Sequence, residues 1–165
     1  MSYLPDHAIV ASVKCGDLKI SPFDPNRVQP SSLDLTLSQS FVRSPTKDPE
    51  HIIADTYSLN PMEFALGSTI KYITLPRHIS GNVCGKSSIG RTGLFIHNAG
   101  FIDPGFYGRI TLELFNASSE VIELKAGQPI CQIRFDQHQP CIRSYADKGG
   151  KYCGQEGATV SRGIS

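Results

Sequence analysis

The sequence predicts a single all-β domain, a distorted jelly-roll or barrel-like sandwich with one short helix at its N-terminal edge. Three observations carry that expectation. Fifteen glycines and eleven prolines punctuate short runs of Val, Ile, Leu, Phe and Thr, the pattern of brief strands joined by tight turns. Only one segment has convincing helical spacing. Neither an internal repeat nor a linker-like stretch divides the 165 residues, a length that suits one domain with its own core.

The helical segment is 6–16. Asp6 is placed to cap it, Ala8, Ile9, Ser12 and Val13 recur at helical spacing, and Gly16 can end it. Strand candidates follow at 33–37, 40–43, 63–66, 69–75, 79–83, 94–97, 109–116 and 130–135. Residues 44–50 read as a polar, proline-containing loop. The segment 140–165 is expected to stand apart as a C-terminal element, because from Tyr145 onward it is glycine-rich and weakly patterned. Two readings fit it: a frayed terminus, or a lid that folds over a ligand and brings Lys151 to phosphate.

Composition excludes several function classes. The formal net charge is +1 with acids and bases interspersed, so no nucleic-acid partner is expected. No run of about 18 apolar residues offers a membrane span. Residues 1–7 lack the basic and apolar regions of a secretory signal, so a cytoplasmic location is expected. The cysteines at 15, 84, 131, 141 and 153 are odd in number, scattered, and form no Cys-x-x-Cys pair, which reads as reduced thiols. No histidine belongs to a His-x-Glu or His-Glu-x-x-His pattern, so zinc-dependent hydrolysis or deamination lacks a ligand set.

The reactive residue types converge on 85–116. Gly85-Lys86-Ser87-Ser88-Ile89-Gly90-Arg91 combines small residues, two hydroxyls and two cations. It is not a Walker A loop, since position 80 is Ser where that motif needs Gly. A plain turn and an anion site built from exposed backbone N–H groups both fit. On a strand over 109–116, Ile110, Leu112 and Leu114 share one face, while Thr111, Glu113 and Phe115 share the other. A carboxylate beside an aromatic in a partly dry cleft is easier to keep protonated during part of a catalytic cycle. A solvated strand glutamate fits the same pattern. Asp103 lies in a turn before Pro104-Gly105, where a turn-forming role and an exposed reactive role are both open. Asp34 alternates with Leu33 and Leu35, so it faces away from the core, toward solvent or a neighbouring subunit.

Taken in order, these segments resemble the dCTP deaminase family within the trimeric dUTPase-like superfamily. The resemblance runs through Gln29-Pro30-Ser31-Ser32-Leu33-Asp34-Leu35, the 85–94 loop, Ile102-Asp103-Pro104-Gly105, Ile110-Thr111-Leu112-Glu113, and Gly149-Gly150-Lys151-Tyr152-Cys153-Gly154-Gln155-Glu156-Gly157-Ala158-Thr159. One departure is Lys86, where the family usually has Arg; lysine keeps the charge but loses the bidentate fork.

The resemblance implies a homotrimer with sites at subunit interfaces and zinc-independent deamination of dCTP. It implies that Glu113 activates water for attack on C4 of cytosine, that Ser87 and the Ala99 backbone hold that water, and that Arg91 positions Glu113. Asp103 would contact the deoxyribose, and Thr111, Leu112 and Glu113 would read the base edge. Lys86, Ser88, Ile89, Gly90, Tyr145, Lys151 and Gln155 would hold the triphosphate, with Mg²⁺ riding on the phosphates. Asp34 is a further carboxylate for a diphosphatase water. The turn Ala99-Gly100-Phe101 resembles bifunctional members that carry dCTP on to dUMP. The alternatives are a deaminase that releases dUTP, a dUTPase alone, or a non-catalytic nucleotide-binding regulator.

Overall fold

The computed structural model describes residues 2–97 and 101–163. In chain order its strands are β1 Ser2–Tyr3, β2 Lys19–Ser21, β3 Val28–Gln29, β4 Ser32–Arg43, β5 Glu50–Ile53, β6 Thr56–Leu59, β7 Phe64–Thr74, β8 Ile79–Gly85, β9 Leu94–His97, β10 Tyr107–Asn116, β11 Ile122–Lys125 and β12 Pro129–Gln137. Helix α1 spans Asp6–Lys14 and the one-turn α2 spans Ser87–Gly90. The all-β expectation holds.

Ten strands form one sheet along the path β1-β12-β4-β7-β10-β9, with β2 on β7, β3 and β5 on β4, and β8 on β12. β4 makes the sheet curl. Its first half pairs with β12 (Leu33 with Ile133) and its second with β7 (Phe41 with Gly67), with an irregularity between Leu37 and Phe41. Such bulges bend a strand and strengthen its twist. The concave side closes over Leu33, Leu35, Leu37, Phe41, Ile73, Ile110, Leu112, Leu114, Ile133 and Phe135, all at most 2% exposed.

Two pairs of candidate strands prove to be single strands. Segments 33–37 and 40–43 are both β4, and 63–66 and 69–75 are both β7. In β7 the apparent punctuation is Gly67, whose role is packing: a Cβ there would lie 2.9 Å from the Leu114 side chain and 3.1 Å from Leu37. Strands β5, β6 and β11 are short, and sequence patterning passed over them. At α1 the cap position belongs to Pro5, with no side-chain cap; Asp6 is already helical and accepts the His7 N–H at 2.7 Å. Gly16 does end the helix, at φ +81°.

Candidate active site

Strand β10 is where local pattern becomes a site. Its alternation puts Ile110, Leu112 and Leu114 in the core and leaves Thr111, Glu113 and Phe115 partly exposed on the other face, as the sequence predicts. One edge of β10 is covered along its length by β7. The opposite edge is shared. Among the described residues β9 pairs with residues 113–116, and the C-terminal segment covers the start of the strand, where Arg109 N–H donates to the Gln155 carbonyl at 2.9 Å and Gly154 N–H to the Tyr107 carbonyl at 2.7 Å. Thr111 and Glu113 therefore sit at the seam between two coverings.

A cavity of about 430 Å³ opens there, within the range of small-molecule sites. Glu113, Thr111 and Asp103 supply polar groups, and Phe64, Phe101, Phe106, Tyr145 and Tyr152 supply aromatic walls. Glu113 is 32% exposed, and the Nδ1 of His97 lies 2.9 Å from its Oε2. That contact follows from register, since Glu113 and His97 are directly opposed across β10 and β9. His97 was not among the residues expected to act. Finding it needed the pairing of two strands and not their existence alone. Leu112 is fully buried, so it can offer a ligand only its backbone.

The C-terminal segment is folded onto the sheet. Buried Gln155 donates to the Arg109 carbonyl at 2.6 Å, the Ala158 N–H donates to Ser40 Oγ at 2.9 Å, and Ala158 packs with Val42, Leu66 and Val160. Tyr145, Tyr152, Gln155, Thr159 and Ser161 line the cavity. Thr159 and Tyr152 were not singled out by sequence. Lys151, expected at phosphate, does not line the cavity among the described residues; it donates to the Gly163 carbonyl at 2.7 Å.

The 86–91 loop lies elsewhere. Ser87, Ser88 and Gly90 form α2, and Ile89 lines a separate hollow with Leu94 and Val121. Among the described residues, none from Lys86 to Arg91 lines the Glu113 cavity, and Arg91 makes no ion pair with Glu113. Lys86 is anchored: its Nζ is 2.6 Å from Asp34 Oδ2. Asp34 itself is 5% exposed, which corrects the expectation that it faces solvent or a neighbour. Gln29 from β3 also reaches it, at 3.4 Å, while its Oδ1 is buried without a partner among the described residues. Ala99 lies outside the described residues. Among the described residues, no cluster of three or more His, Cys, Asp or Glu is arranged to hold a metal ion.

A family model for dCTP deaminase-like proteins matches residues 3–138. Curated relatives named "dCTP deaminase, dUMP-forming" include one from Aquifex aeolicus, 42% identical over 96% of this chain and 93% of the relative. Another, from Corynebacterium efficiens, is 42% identical over 97% and 93%. Among solved structures, a 2'-deoxycytidine 5'-triphosphate deaminase from Agrobacterium tumefaciens superposes with TM-score 0.69 at 24% identity. The match covers 86% of this chain and 49% of that one, so this chain spans about half its length. A dUTPase of Staphylococcus bacteriophage 80alpha matches at TM-score 0.53 and 16% identity over 76% and 93%. At these identities the structural likenesses speak for the fold alone.

Proposed function

This chain belongs to the dCTP deaminase-like family, and we propose that it hydrolyses dCTP to dUMP in a cytoplasmic homotrimer whose sites are shared between subunits. The observation that carries this reading is Glu113, a partly exposed carboxylate opening into an aromatic-walled cavity that no residue of the 86–91 loop lines among the described residues. A loop from a second copy supplies what the cavity lacks. Next to Glu113, the row Phe64–Phe115–Phe95 crosses β7, β10 and β9, with Phe64 39% and Phe95 57% exposed. An apolar row of this kind beside a site suits burial against another subunit.

In the deamination step Glu113 takes a proton from water as the water oxygen attacks C4 of cytosine and passes it to N3; it then takes the proton of the new C4 hydroxyl and delivers it to the amine, so that C4 becomes a carbonyl and ammonia departs. Ser87 and the Ala99 backbone hold the water, and Arg91 of the neighbouring loop fixes the carboxylate. The Phe and Tyr walls pack the base and sugar, with Asp103 toward the deoxyribose and Thr111 at the base edge. Lys86, Ser88, Ile89 and Gly90, with Tyr145, Lys151 and Gln155, hold the triphosphate, and residues 140–165 act as its lid. For the phosphate to take Lys86, that lysine must leave or share Asp34.

Mg²⁺ belongs to the nucleotide: a hard cation held by phosphate oxygens and waters needs few protein ligands. Among the described residues, the carboxylate at the cavity besides Glu113 is exposed Asp103, which fits that limited demand. Asp103 is also the available carboxylate for water attack on the α-phosphate, which releases pyrophosphate. Asp34, locked under Lys86, serves as the anchor of that lysine.

The test is product analysis with dCTP and Mg²⁺. The expected products are ammonia, dUMP and pyrophosphate with little free dUTP. Accumulation of dUTP as the final nucleotide would leave deamination alone, and unchanged dCTP would reject the reading.

A further inference from the structure

We infer that His97 is a positioning residue for Glu113, directing the carboxylate from within the subunit while Arg91 of the neighbouring loop reaches it from outside. The inference rests on the deaminase reading above, but concerns a residue that the reading leaves without a role.

The geometry is specific. His97 and Glu113 are opposed across β9 and β10, on the same face of the sheet, with Nδ1 2.9 Å from Oε2. An ionised carboxylate only accepts hydrogen bonds, so when Glu113 is charged Nδ1 is the donor. That bond engages Oε2 from within the subunit, while Arg91 of the neighbouring loop and the reacting water share the rest of the carboxylate. The imidazole is 76% exposed in the single chain.

Within the described residues of one subunit few charged groups stand near this pair, and Arg91 of the neighbouring loop is the further cation that the proposed site brings to the carboxylate. β9 is packed by β10, β8 and α2. β10 presents Glu113; β8 carries Cys84; α2 is flanked by Lys86 and Arg91. Lys86 is engaged by Asp34, and among the described residues Glu113 is the one group ion-paired with the ring. Asp103, Tyr145 and Tyr152 line the same cavity as Glu113.

Imidazole is the side chain that ordinarily changes charge between about pH 5 and 8. A neutral ring donates to Glu113 and leaves it basic enough to take a proton from water. A protonated ring stabilises the carboxylate further and weakens it as a base, because a nearby opposite charge favours the ionised form. The bond between the two side chains should therefore shape how turnover depends on pH.

The experiment is kcat for ammonia release at saturating Mg²⁺ and dCTP, from pH 5.5 to 8.5, for the unmutated enzyme, His97→Gln and His97→Leu. Glutamine keeps an N–H donor but does not titrate. The triphosphate titrates alike in all three proteins, so differences between them isolate the imidazole. The ratio of kcat at pH 8 to kcat at pH 5.5 should shrink at least ~3-fold in His97→Gln. His97→Leu should be slower than His97→Gln at every pH. Identical pH profiles in all three would overturn the inference whatever their absolute rates. No ammonia release by the unmutated enzyme would overturn the deaminase reading, and this inference with it.

Discussion

Glu113 and Asp34 look alike in sequence and differ in structure. Each is a carboxylate flanked by leucines on a strand, Leu33-Asp34-Leu35 on β4 and Leu112-Glu113-Leu114 on β10. Alternation turns both away from the core. On β10 the outward face opens into a cavity, and Glu113, 32% exposed, meets an exposed imidazole. On β4 the outward face is itself covered. Asp34 has a 7% exposed side chain, with an ammonium 2.6 Å from one oxygen and none of the described residues bonded to the other. A carboxylate with spare lone pairs in a cavity can handle water; one clamped under a lysine is a strut. Strand periodicity identifies the face, and only tertiary packing decides what lies against it.

The comparison can be broken from either side. Glu113→Gln keeps the shape but removes the proton acceptor, so kcat should fall ~10²–10⁴-fold while dCTP still binds. Turnover near the unmutated rate would move catalysis elsewhere. At Asp34 the expected loss is stability, and it is asymmetric. Lys86→Met leaves a buried, unpaired carboxylate and should cost about 3–5 kcal/mol. Asp34→Asn releases a lysine that is 24% exposed and can turn to water, so it should cost less. Denaturant unfolding at fixed protein concentration measures both. Equal losses would show that Asp34 is not sealed.

Lys71 sharpens the same contrast. It is 3% exposed, and burial holds its ammonium below the usual lysine range. The folded chain then binds fewer protons than the unfolded chain, so this group favours folding more as pH rises from its lowered value toward about 10.5. Lys71→Met should remove that slope and raise stability near neutrality, read from unfolding midpoints between pH 7 and 10. The smallest effect belongs to the C-terminal segment. Ser40→Ala removes the acceptor of the Ala158 N–H, worth about 1 kcal/mol. It should raise KM for dCTP modestly and speed amide exchange over residues 155–160.

Much of this was legible from sequence, for identifiable reasons. The β class, the face of Glu113 and the turn holding Asp103 follow from period-two patterning and turn chemistry. The motif order carried the family. What escaped depended on contacts distant in sequence. Gly67 reads as a break until Leu114 and Leu37 close on it. His97 gains meaning only from its register with Glu113. Asp34 is read as outward-facing until Gln29 and Lys86 fold over it. The C-terminal segment reads as poor in core residues, yet Ala158 and Val160 build a small cluster with Val42 and Leu66.

The central claim is that Glu113 of one subunit works with Arg91 of another, and subunit complementation tests it directly. Glu113→Gln and Arg91→Ala proteins, each nearly inactive, are unfolded together, refolded as mixed trimers and assayed for ammonia release from dCTP. With sites shared between neighbours, random mixing in equal amounts restores about a quarter of the sites, so activity should rise to about a quarter of that of the unmutated enzyme. Mixed trimers no more active than the two parents would place Glu113 and Arg91 in the same chain's site and contradict the account.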